Sequence, residues 1–528
     1  MKVVIAEPMS PAGIQLLEAQ PGWEIVVSNP KDFLSHLAGC EAFFIRSAVK
    51  VTREVLAQAP RLRVIGRAGV GVDNVDLEAA SAAGVVVMNT PGGNAVSVAE
   101  HAMALMLALA RAVPQASAST HSGKWEKKKF LGNELRGKTL GLIGLGSIGR
   151  EVVKRARAFE MRIIASDPYV SSQSAADINT ELVPLDRLLV ESDYISLHLA
   201  LTGETRRILS REAFSKMKDG VRIINCARGE LIDEAALAEA LGSGKAAGAG
   251  LDVFDPEPPK AGNPLLKAET LIATPHIGGS TEEAQEIVGI RIVEQVIDYL
   301  RNGVAINAVN MPALSPEVYK TLGPYVELAE RLGNFAAYVA TGNPHMVRLI
   351  YSGRIAELNT SLVRNAGVAG VLKRSTENKA NLVSAMGIAA QRGWNVAERR
   401  DSRMAHMDTI RLELETDAGT TLVEGGVVLG RPRLLQVDGI YCESMLAGHL
   451  IYLRNEDVPG VIGHVGTVLG RNNVNIANFT LGRRAEAEPG KPLEAIAIVE
   501  TDDGVEESLL AQLLENKAVK LARAVEFE

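Results

Sequence analysis

Three polar side chains follow apolar, strand-like runs and could together carry out acid–base chemistry. Arg228 follows RIINCA, Glu257 lies in a proline-rich loop after GLDVF, and His276 follows LIATP. A carboxylate beside a histidine favours the imidazolium form and fixes its tautomer, so Glu257 and His276 could form a proton donor. A guanidinium can bind a carboxylate through two N–H groups and polarise a neighbouring carbonyl. The three residues indicate a site that moves a proton on a substrate carrying a carboxylate.

Each of these residues also has a purely structural interpretation. Arg228 could cap a helix at the surface, and an isolated histidine such as His276 is more often structural. Their common position at the ends of strands in one lobe favours a site, because ligands bind at the carboxyl ends of parallel strands. His198, in YISLHLAL, has no acidic neighbour and is expected only to line the cleft. The histidines show no HxH or HExxH spacing, so no metal site is predicted.

A glycine-rich turn, KTLGLIGLGSIG, indicates that the site includes a dinucleotide. Gly144 would allow a tight turn after a buried strand, Gly146 would let the backbone approach a pyrophosphate, and Gly149 would let the next helix pack closely. Asp167 ends the following strand-like run, 18 residues beyond Gly149. Its carboxylate could accept hydrogen bonds from a ribose diol and would repel a 2′-phosphate. The pattern therefore predicts NAD rather than NADP.

The elements that would position these residues alternate between strand and helix. Residues 1–98 read as a βα series, a helix is expected over 96–112, and the glycine turn opens a second βα series. The helical run at 284–301 could cross back to the first lobe. Beyond Pro312 the pattern indicates a mixed α/β region, with a helix near 378–392, and the last 80 residues read as βαββαβ, a ferredoxin-like unit.

The predicted fold class is α/β, with two doubly wound parallel-sheet lobes followed by two smaller domains. The expected limits are 1–98 with 285–311 for a discontinuous substrate-binding domain, 99–284 for a Rossmann NAD-binding domain, 312–446 for an intervening mixed α/β domain, and 447–528 for the ferredoxin-like domain. A chain of 528 residues is long enough for several such units.

Composition narrows the class of protein further. The formal charge of −7 and the pI near 5.9 provide no broad attraction to nucleic acid or to an anionic membrane. Cys40, Cys226 and Cys442 are too few and too dispersed for a disulfide framework, which favours a reducing compartment, and the expected location is the cytoplasm. The N-terminus lacks the apolar core of a signal peptide, and the longest apolar stretch, 102–110, is too short to span a bilayer.

In these motifs the chain resembles the D-isomer-specific 2-hydroxy acid dehydrogenases. The resemblance runs over essentially the whole chain, through RAGVGVDNVD, NTPGGNAVSVAEHAMALMLALAR, GLIGLGSIGR, NCARGELIDEAALAEAL, GLDVFDPEPP and TPHIGGSTEEAQ. The C-terminal half, with HLIYLRNEDVPGVIGHVGTVLGRNNVNIANFTLGR, narrows it to the long-form members that oxidise 3-phosphoglycerate with NAD in the first step of L-serine biosynthesis.

The resemblance implies a role for each residue of the site. Arg228 would bind the substrate carboxylate and keto oxygen, His276 would be the general acid/base, and Glu257 would orient the histidine. Positions that correspond to cofactor contacts are Val70, Gly144, Gly146, Ser147, Ile148, Gly149, Asp167, Leu199, Cys226, Ala227, Arg228, Asp252, His276, Ile277, Gly278 and Gly279. The substrate phosphate would contact Arg46, Arg67 and Lys127.

The resemblance also implies partners. The loop KWEKKKF, which contains Lys127, reaches a neighbouring subunit's site in this family, which implies a homo-oligomer and, by the family's usual state, a tetramer. The C-terminal unit resembles an ACT domain, in which Asn455, Asp457 and Asn475 correspond to positions that bind L-serine as an effector. Asn and Asp also cap helices and form turns, so a structural interpretation of these three residues stays open.

The sequence departs from the family pattern at three of these positions and leaves two other functions open. Ser147 stands where many relatives have a basic residue, HLAL replaces the usual sequence around Leu199, and Asn455 stands where some relatives have His or Tyr. One alternative is a sister enzyme that reduces glyoxylate or hydroxypyruvate. The other is a non-enzymatic NAD-sensing scaffold, because one fold can serve unrelated functions.

Overall fold

The N-terminal part of the chain forms a parallel sheet of five strands. The computed structural model describes residues 1–312, 316–374, 380–401, 407–486 and 492–527. The first elements are β1 (Lys2–Ile5), α1 (Pro11–Glu18), β2 (Glu24–Val27), β3 (Cys40–Ile45), α2 (Arg53–Ala57), β4 (Val64–Arg67), α3 (Leu77–Ala82) and β5 (Val86–Met88). The strand order is β2–β1–β3–β4–β5. Val3, Val4 and Ile5 are all fully buried, as expected where helices cover both faces of a sheet.

A second parallel sheet of seven strands follows. Its elements are α4 (Ala95–Arg111), α5 (Val113–His121), β6 (Thr139–Ile143), α6 (Ser147–Ala158), β7 (Arg162–Ser166), α7 (Ser172–Ala176), β8 (Glu181–Leu182), α8 (Leu185–Glu191), β9 (Tyr194–Leu197), α9 (Arg211–Lys216), β10 (Val221–Asn225), α10 (Glu234–Ser243), β11 (Ala246–Leu251) and β12 (Leu271–Ala273). The order is β12–β11–β10–β9–β6–β7–β8. The order reverses between β6 and β9, which places a ligand crevice at the carboxyl ends of these strands.

The long helix α11 (Glu282–Asn302) carries the chain from the second sheet back to the first. Its Val288 and Ile292 join the buried core under the first sheet. Gly289 approaches α1 so closely that a Cβ on Gly13 would lie 3.0 Å from the Gly289 carbonyl oxygen. The first lobe therefore includes a segment from beyond the second, whereas the residue limits given for the four domains stay predictions.

The third unit is a six-stranded mixed sheet packed against helices. Its elements are α12 (Pro316–Val339), β13 (Pro344–Ser352), α13 (Ser361–Lys373), α14 (Ala385–Gln391), β14 (Asn395–Asp401), β15 (Thr409–Thr416), β16 (Gly419–Val428), β17 (Arg431–Val437) and β18 (Ile440–Met445), in the order β14–β13–β15–β16–β17–β18. The predicted helix near 378–392 begins later than expected, at Ala385, and Asn378 lies outside the described residues.

The C-terminal unit has the predicted βαββαβ order. Its elements are β19 (Gly448–Glu456), α15 (Val461–Arg471), β20 (Ile476–Arg483), β21 (Glu494–Thr501), α16 (Glu507–Leu513) and β22 (Val519–Phe527), with the antiparallel sheet order β20–β21–β19–β22. One face of this sheet carries its own helices. The other face shares a core with the third unit. In that core the rings of Phe335 and Tyr452 pack edge to face, with their centroids 5.8 Å apart.

Among the described residues, no single helix is both long enough and apolar enough to span a membrane. Taken together, α4 and α5 meet both criteria, but the two helices are bent by 63° at their junction.

Candidate active site

The carboxyl ends of strands from both lobes meet at one cleft with a volume of about 1070 Å³. The predicted residues that line it are Arg46, Arg67, Val70, Ser147, Ile148, Leu199, Cys226, Ala227, Arg228, Asp252, Glu257, His276, Gly278 and Gly279. Five other predicted residues lie next to the cleft without lining it: Gly144, Gly146, Gly149, Asp167 and Ile277. The structure thus brings together the residues predicted for proton transfer and most of those predicted for substrate and cofactor binding, with Lys127 as an exception.

The pair predicted for proton transfer, His276 and Glu257, has the expected geometry. His276 Nδ1 lies 2.8 Å from Glu257 Oε2, and both side chains are partly exposed to the cleft. The hydrogen bond and charge of Glu257 raise the pKa of His276 above its usual value, despite partial burial of the ring. Burial would raise the pKa of Glu257, but the hydrogen bond and charge of His276 hold it below its usual range. Because Nδ1 is engaged by the carboxylate, Nε2 is the nitrogen left to exchange a proton with a substrate.

The loop that carries His276 is held by the buried carboxylate of Asp252. Its Oδ1 accepts from the Thr274 hydroxyl at 2.6 Å and from the Ile277 N–H at 2.9 Å, and its Oδ2 accepts from the Gly278 N–H at 2.7 Å. Burial would raise the pKa of Asp252, but these hydrogen bonds and one from His101 lower it overall. The bonded loop keeps His276 in the left-handed region, with φ of 55°. Asp252 therefore positions the loop, in addition to any contact with a cofactor.

Arg228 lies three residues beyond the end of β10 and points across the cleft to the first lobe. Its Nε and Nη2 lie 3.1 Å and 2.8 Å from Asp73 Oδ2, and its Nη1 donates to the Ala227 carbonyl at 2.7 Å. Asp73 was not predicted as a site residue. It belongs to RAGVGVDNVD in the first lobe, 155 residues from Arg228, so only the fold reveals the contact.

Two further arginines, Arg46 and Arg67, add positive charge to the cleft. Arg67 ends β4 and Arg46 follows β3, as predicted. Burial, together with the charges of Arg228 and Arg46, lowers the pKa of Arg67 to about 10, so the side chain stays cationic at neutral pH. Its Nε is buried and has no hydrogen-bond partner among the described residues. Because both arginines line the cleft, their cationic groups suit an anion such as a phosphate.

The backbone that carries Arg46 is fixed by an acid that sequence patterns did not reveal as part of the site. Glu7 is 5% exposed, and its carboxylate accepts hydrogen bonds from the backbone N–H groups of Arg46, Ala48 and Val49 at 2.8–3.0 Å. Lys50, a few residues further, also lines the cleft and was not predicted either. The loop after β3 therefore presents its cations from a backbone held in one conformation.

The glycine turn has the form that a pyrophosphate site requires. Gly144 has φ of +95°, and a Cβ there would overlap with the His198 carbonyl oxygen. A Cβ on Gly149 would lie 2.5 Å from the Gly144 carbonyl oxygen, whereas a Cβ on Gly146 would meet no described atom within 4 Å. Gly144 and Gly149 are therefore required by packing. Gly146 instead leaves open space at the N-terminus of α6, where unpaired N–H groups favour an anion. A dinucleotide therefore fits this turn.

Asp167, directly after β7, is held by the same turn. Its Oδ2 accepts from the Leu145 N–H at 2.8 Å and its Oδ1 from the Tyr169 N–H at 2.8 Å. A carboxylate has about four acceptor positions, so two backbone bonds leave capacity for two ribose hydroxyls. The position agrees with the predicted preference for NAD.

His198 lines the cleft as expected but differs chemically from His276. It is 9% exposed, and its Nε2 lies 2.8 Å from the Ser196 hydroxyl. Burial lowers the pKa of His198 to about 4, so the ring is neutral at physiological pH. Its position and neutrality suit packing beside the glycine turn rather than proton transfer.

The remaining predicted contacts lie outside this cleft. Lys127 is in the exposed loop after α5, beside Trp125, whose exposure is 83%. Asn455 and Asp457 lie at the end of β19, and Asn475 lies before β20. Thr501 of β21 pairs with His449, at the start of β19, and also with Ile476. Asn475 is therefore at the opposite end of the sheet from Asn455 and Asp457, and one chain does not bring the three together.

The effector residues have local partners instead. Asn475 Nδ2 donates to Asp502 at 2.8 Å, and Asp457 pairs with Arg483 at 3.4 Å. Asn455 is 4% exposed, donates to the Glu456 carbonyl at 2.8 Å, and has a buried Oδ1 with no hydrogen-bond partner in the described part of the chain. These contacts agree with the structural interpretation of the three residues and leave the effector role a prediction.

Three family models match successive parts of the chain. They are the D-isomer specific 2-hydroxyacid dehydrogenase NAD binding domain at residues 103–278, the D-3-phosphoglycerate dehydrogenase intervening domain at 321–438, and the ACT domain at 449–517. Together with the cleft, they define an NAD-dependent D-isomer-specific 2-hydroxyacid dehydrogenase with a C-terminal ACT domain. The predicted fold class, NAD cofactor and ACT domain are thereby confirmed.

Proteins of known name extend the match to nearly the full length. The chain is 43% identical to D-3-phosphoglycerate dehydrogenase of Archaeoglobus fulgidus, over 94% of this chain and 95% of that protein, and 42% identical to that of Methanocaldococcus jannaschii, over 98% of each. The chain therefore belongs to the D-3-phosphoglycerate dehydrogenase family. Among solved structures, glyoxylate reductase from Paecilomyes thermophila matches 60% of this chain and 99% of its own, with 32% identity and a TM-score of 0.53. D-lactate dehydrogenase from Aquifex aeolicus, complexed with NAD and lactic acid, matches 59% and 100%, with 30% identity and a TM-score of 0.52.

Proposed function

We propose that the chain oxidises 3-phosphoglycerate to 3-phosphohydroxypyruvate with NAD, the first step of L-serine biosynthesis. One observation carries the proposal: a single cleft contains the His276–Glu257 pair, Arg228, and two further cationic side chains, those of Arg46 and Arg67. A 2-hydroxy acid with a phosphate at its far end needs both cationic groups, whereas glyoxylate needs only Arg228.

The chemistry divides among these residues as follows. Bound NAD supplies a nicotinamide ring that accepts the hydride from the substrate C2. Arg228 holds the substrate carboxylate and polarises the oxygen on C2. His276 takes the proton of the C2 hydroxyl at Nε2, and Glu257 stabilises the resulting imidazolium across the 2.8 Å contact at Nδ1. In reduction, His276 returns that proton to the oxygen on C2.

The cofactor would be held by the second lobe. The N-terminus of α6, with Gly146 and Ser147, would face the pyrophosphate, and Asp167 would accept from the ribose. The backbone around Cys226 and Gly278 lines the cleft beyond them. At the other end Arg46 and Arg67 would bind the phosphate, and Lys127 would reach it from a neighbouring subunit.

The activity is tested by following NADH absorbance with purified protein and a series of keto acids. We expect 3-phosphohydroxypyruvate to be reduced with a higher kcat/KM than hydroxypyruvate, glyoxylate or 2-oxoglutarate, and 3-phosphoglycerate to be oxidised in reverse. A preference for glyoxylate or hydroxypyruvate would favour the sister reductase. Absence of turnover on every acid, with NADH still bound, would favour the sensing scaffold and overturn the proposal.

We also infer that L-serine is an effector and that its site needs a second copy of this chain. In β21, Ala495 pairs with Asn455 and Thr501 pairs with Ile476, so the two sets of effector residues are separated by about 20 Å at roughly 3.3 Å per residue. One serine cannot bridge that distance. Two ACT domains related by a two-fold axis would place Asn455 and Asp457 of one copy beside Asn475 of the other.

We also propose an oligomeric state and a cellular location for the protein. A homo-oligomer, with a tetramer as the expected state, is supported by the effector residues at opposite ends of the sheet and by the exposed Lys127 loop. Sedimentation equilibrium would measure the subunit number, and a monomer would contradict it. A reducing compartment such as the cytoplasm is supported by Cys40, Cys226 and Cys442, which are unpaired and buried.

A further inference from the structure

We propose that Asp73 is a positioning residue for Arg228, and that it fixes the guanidinium across the cleft so that the donors left over bind the substrate carboxylate. This inference rests on the proposed function, because it concerns how that same site holds its acid. Asp73 lies in the first lobe, after β4, and Arg228 lies in the second, after β10. Their contact is therefore a direct link between the two walls of the cleft.

The number of hydrogen-bond donors supports this role. A guanidinium has five N–H donors: one on Nε and two on each terminal nitrogen. Asp73 Oδ2 accepts from Nε at 3.1 Å and lies 2.8 Å from Nη2, and the Ala227 carbonyl accepts from Nη1 at 2.7 Å. At least one N–H therefore remains on each terminal nitrogen. One N–H from each terminal nitrogen is the fork that binds a carboxylate, so the contact with Asp73 leaves Arg228 donors for its ligand.

The backbone of the Asp73 loop is shaped around the same guanidinium. A Cβ on Gly71 would overlap with Arg228 Nη2 and would lie 2.9 Å from Asp73 Oδ2. The loop therefore approaches the Nη2 end of the arginine closely at Gly71 and binds the guanidinium at Asp73. These two contacts restrict the orientation of the guanidinium, which a freely rotating arginine would not keep by itself.

Charge gives Asp73 a second effect on the cleft. Arg228 and Arg46 each contribute to the lowered pKa of Arg67, and the charge of Asp73 opposes that shift. The side chain of Asp73 is 68% exposed, so solvent weakens its field. Removing its charge makes the cleft more positive. A purely electrostatic role would thus strengthen anion binding on removal of Asp73, whereas the positioning role predicts slower turnover.

The experiment compares Asp73→Asn and Asp73→Glu with the wild type and with Glu78→Gln. Glu78 is exposed in the first turn of α3, in the same lobe, and it is not part of the cleft lining, so it is a control for the loss of one negative charge. For each protein, kcat and KM for 3-phosphohydroxypyruvate, the inhibition constant of inorganic phosphate and the NADH dissociation constant are measured. Both Asp73 variants are also made in an Arg228→Gln background.

We expect Asp73→Asn to lower kcat by about 10–100-fold, because a misplacement of about 1 Å can cost 10²-fold in rate. Phosphate inhibition is expected to be unchanged or stronger, and NADH binding unchanged. Asp73→Glu should recover part of the loss, and Glu78→Gln should match the wild type. In the Arg228→Gln background, Asp73→Asn should have no further effect, because residues that act through each other are not additive.

Three results would overturn the proposal. They are a wild-type kcat in Asp73→Asn, an equal loss of kcat with and without Arg228, or a parallel weakening of phosphate inhibition and NADH binding that indicates a collapsed cleft.

Failure of the proposed function is separately visible in the wild-type protein. If the wild type prefers another 2-keto acid, that function fails, and the same comparison with the preferred acid still tests Asp73, because every such acid has a carboxylate. A wild type that reduces none of them overturns both.

Discussion

At the scale of single residues, two histidines that line the same cleft differ in pKa because their surroundings differ. His276 bonds a carboxylate and has a raised pKa, whereas His198 is buried beside a hydroxyl and has a pKa near 4. The sequence predicted this division, because Glu257 and His276 follow strand-like runs of one lobe and could pair, whereas His198 was expected only to line the cleft. It could not reveal Asp73 or His101, whose partners are 155 and 173 residues away and belong to other elements.

The raised pKa of His276 predicts how the rate depends on pH. Reduction needs His276 protonated, so its rate should fall as pH rises through that pKa, and oxidation, which needs the neutral ring, should rise over the same range. Glu257→Gln removes the charge that raises the pKa of His276. The midpoints of both pH profiles should therefore move to lower pH, measured as kcat in each direction.

A suitable control for this shift is Glu234→Gln. Glu234 accepts from the Asp255 N–H and from Asn263 in the same loop region, but its hydrogen bonds do not include His276. It should leave the midpoints in place. If Glu257→Gln also leaves them in place, the titrating group in catalysis is not the His276–Glu257 pair.

The position of Arg67 in the cleft lining leads to a prediction about substrate choice. Arg67→Gln should reduce kcat/KM for 3-phosphohydroxypyruvate by about 10-fold or more, because a charge-assisted hydrogen bond is worth roughly 1.5–3 kcal/mol. The same ratio for hydroxypyruvate, which has no phosphate, should change little. Arg63→Gln in the same strand region is a control, since Arg63 does not line the cleft. An equal loss on both substrates would mean that Arg67 does not distinguish the phosphate.

At the scale of secondary-structure elements, the predicted strands of the two lobes were largely correct because both faces of each parallel sheet are covered. Such strands are short apolar runs that the sequence displays directly. The strand before His276 ends at Ala273, and the hydrogen bonds that Asp252 accepts from the Ile277 and Gly278 N–H groups hold the loop that follows it. The edge strand β14, NVAERRD, was not predicted because its exposed, charged residues do not resemble a strand.

The glycine turn offers a prediction that separates cofactor binding from stability. Gly149→Ala should lower the free energy of unfolding by about 1–3 kcal/mol, because its Cβ would lie 2.5 Å from the Gly144 carbonyl oxygen. Gly146→Ala meets no described atom within 4 Å and should leave Tm unchanged. It should nevertheless weaken NADH binding, measured by fluorescence titration, because the methyl group occupies the space expected for the pyrophosphate.

The two glycine variants are controls for each other. Gly146→Ala with wild-type NADH affinity would show that the pyrophosphate does not approach this residue. Gly149→Ala with an unchanged Tm would show that α6 can shift away from the turn at no cost.

At the scale of the whole molecule, the units are joined by contacts that the sequence could not predict. The changes of pattern along the chain indicated separate units, but which faces meet depends on side chains far apart in sequence. Asn381 of the third unit donates to the Gly84 carbonyl of the first lobe at 2.7 Å. Arg454 of the ACT domain pairs with Asp438 of the third unit at 2.6 Å. The ACT domain therefore contacts the third unit, and the third unit contacts the first lobe.

Serine regulation is predicted to be a property of pairs of chains. Serine should lower the rate of the wild type, and Asp457→Ala and Asn475→Ala should each abolish this effect, because each removes one side of a site shared between two copies. When both variants are co-expressed, each mixed pair contains one intact site and one doubly altered site. The mixed protein should therefore recover part of the serine inhibition, measured as rate against serine concentration.

The same experiment distinguishes the two-copy site from its alternatives. Asp502→Ala is a useful third variant, since Asp502 holds Asn475 at 2.8 Å and should weaken serine inhibition without abolishing it. If the co-expressed variants stay insensitive, the effector residues do not form a shared site. If the wild type itself ignores serine, the ACT domain senses another ligand or only joins subunits. Recovery in the mixture requires that residues at opposite ends of the β19–β22 sheet meet across an interface, because within one chain they are about 20 Å apart at roughly 3.3 Å per residue.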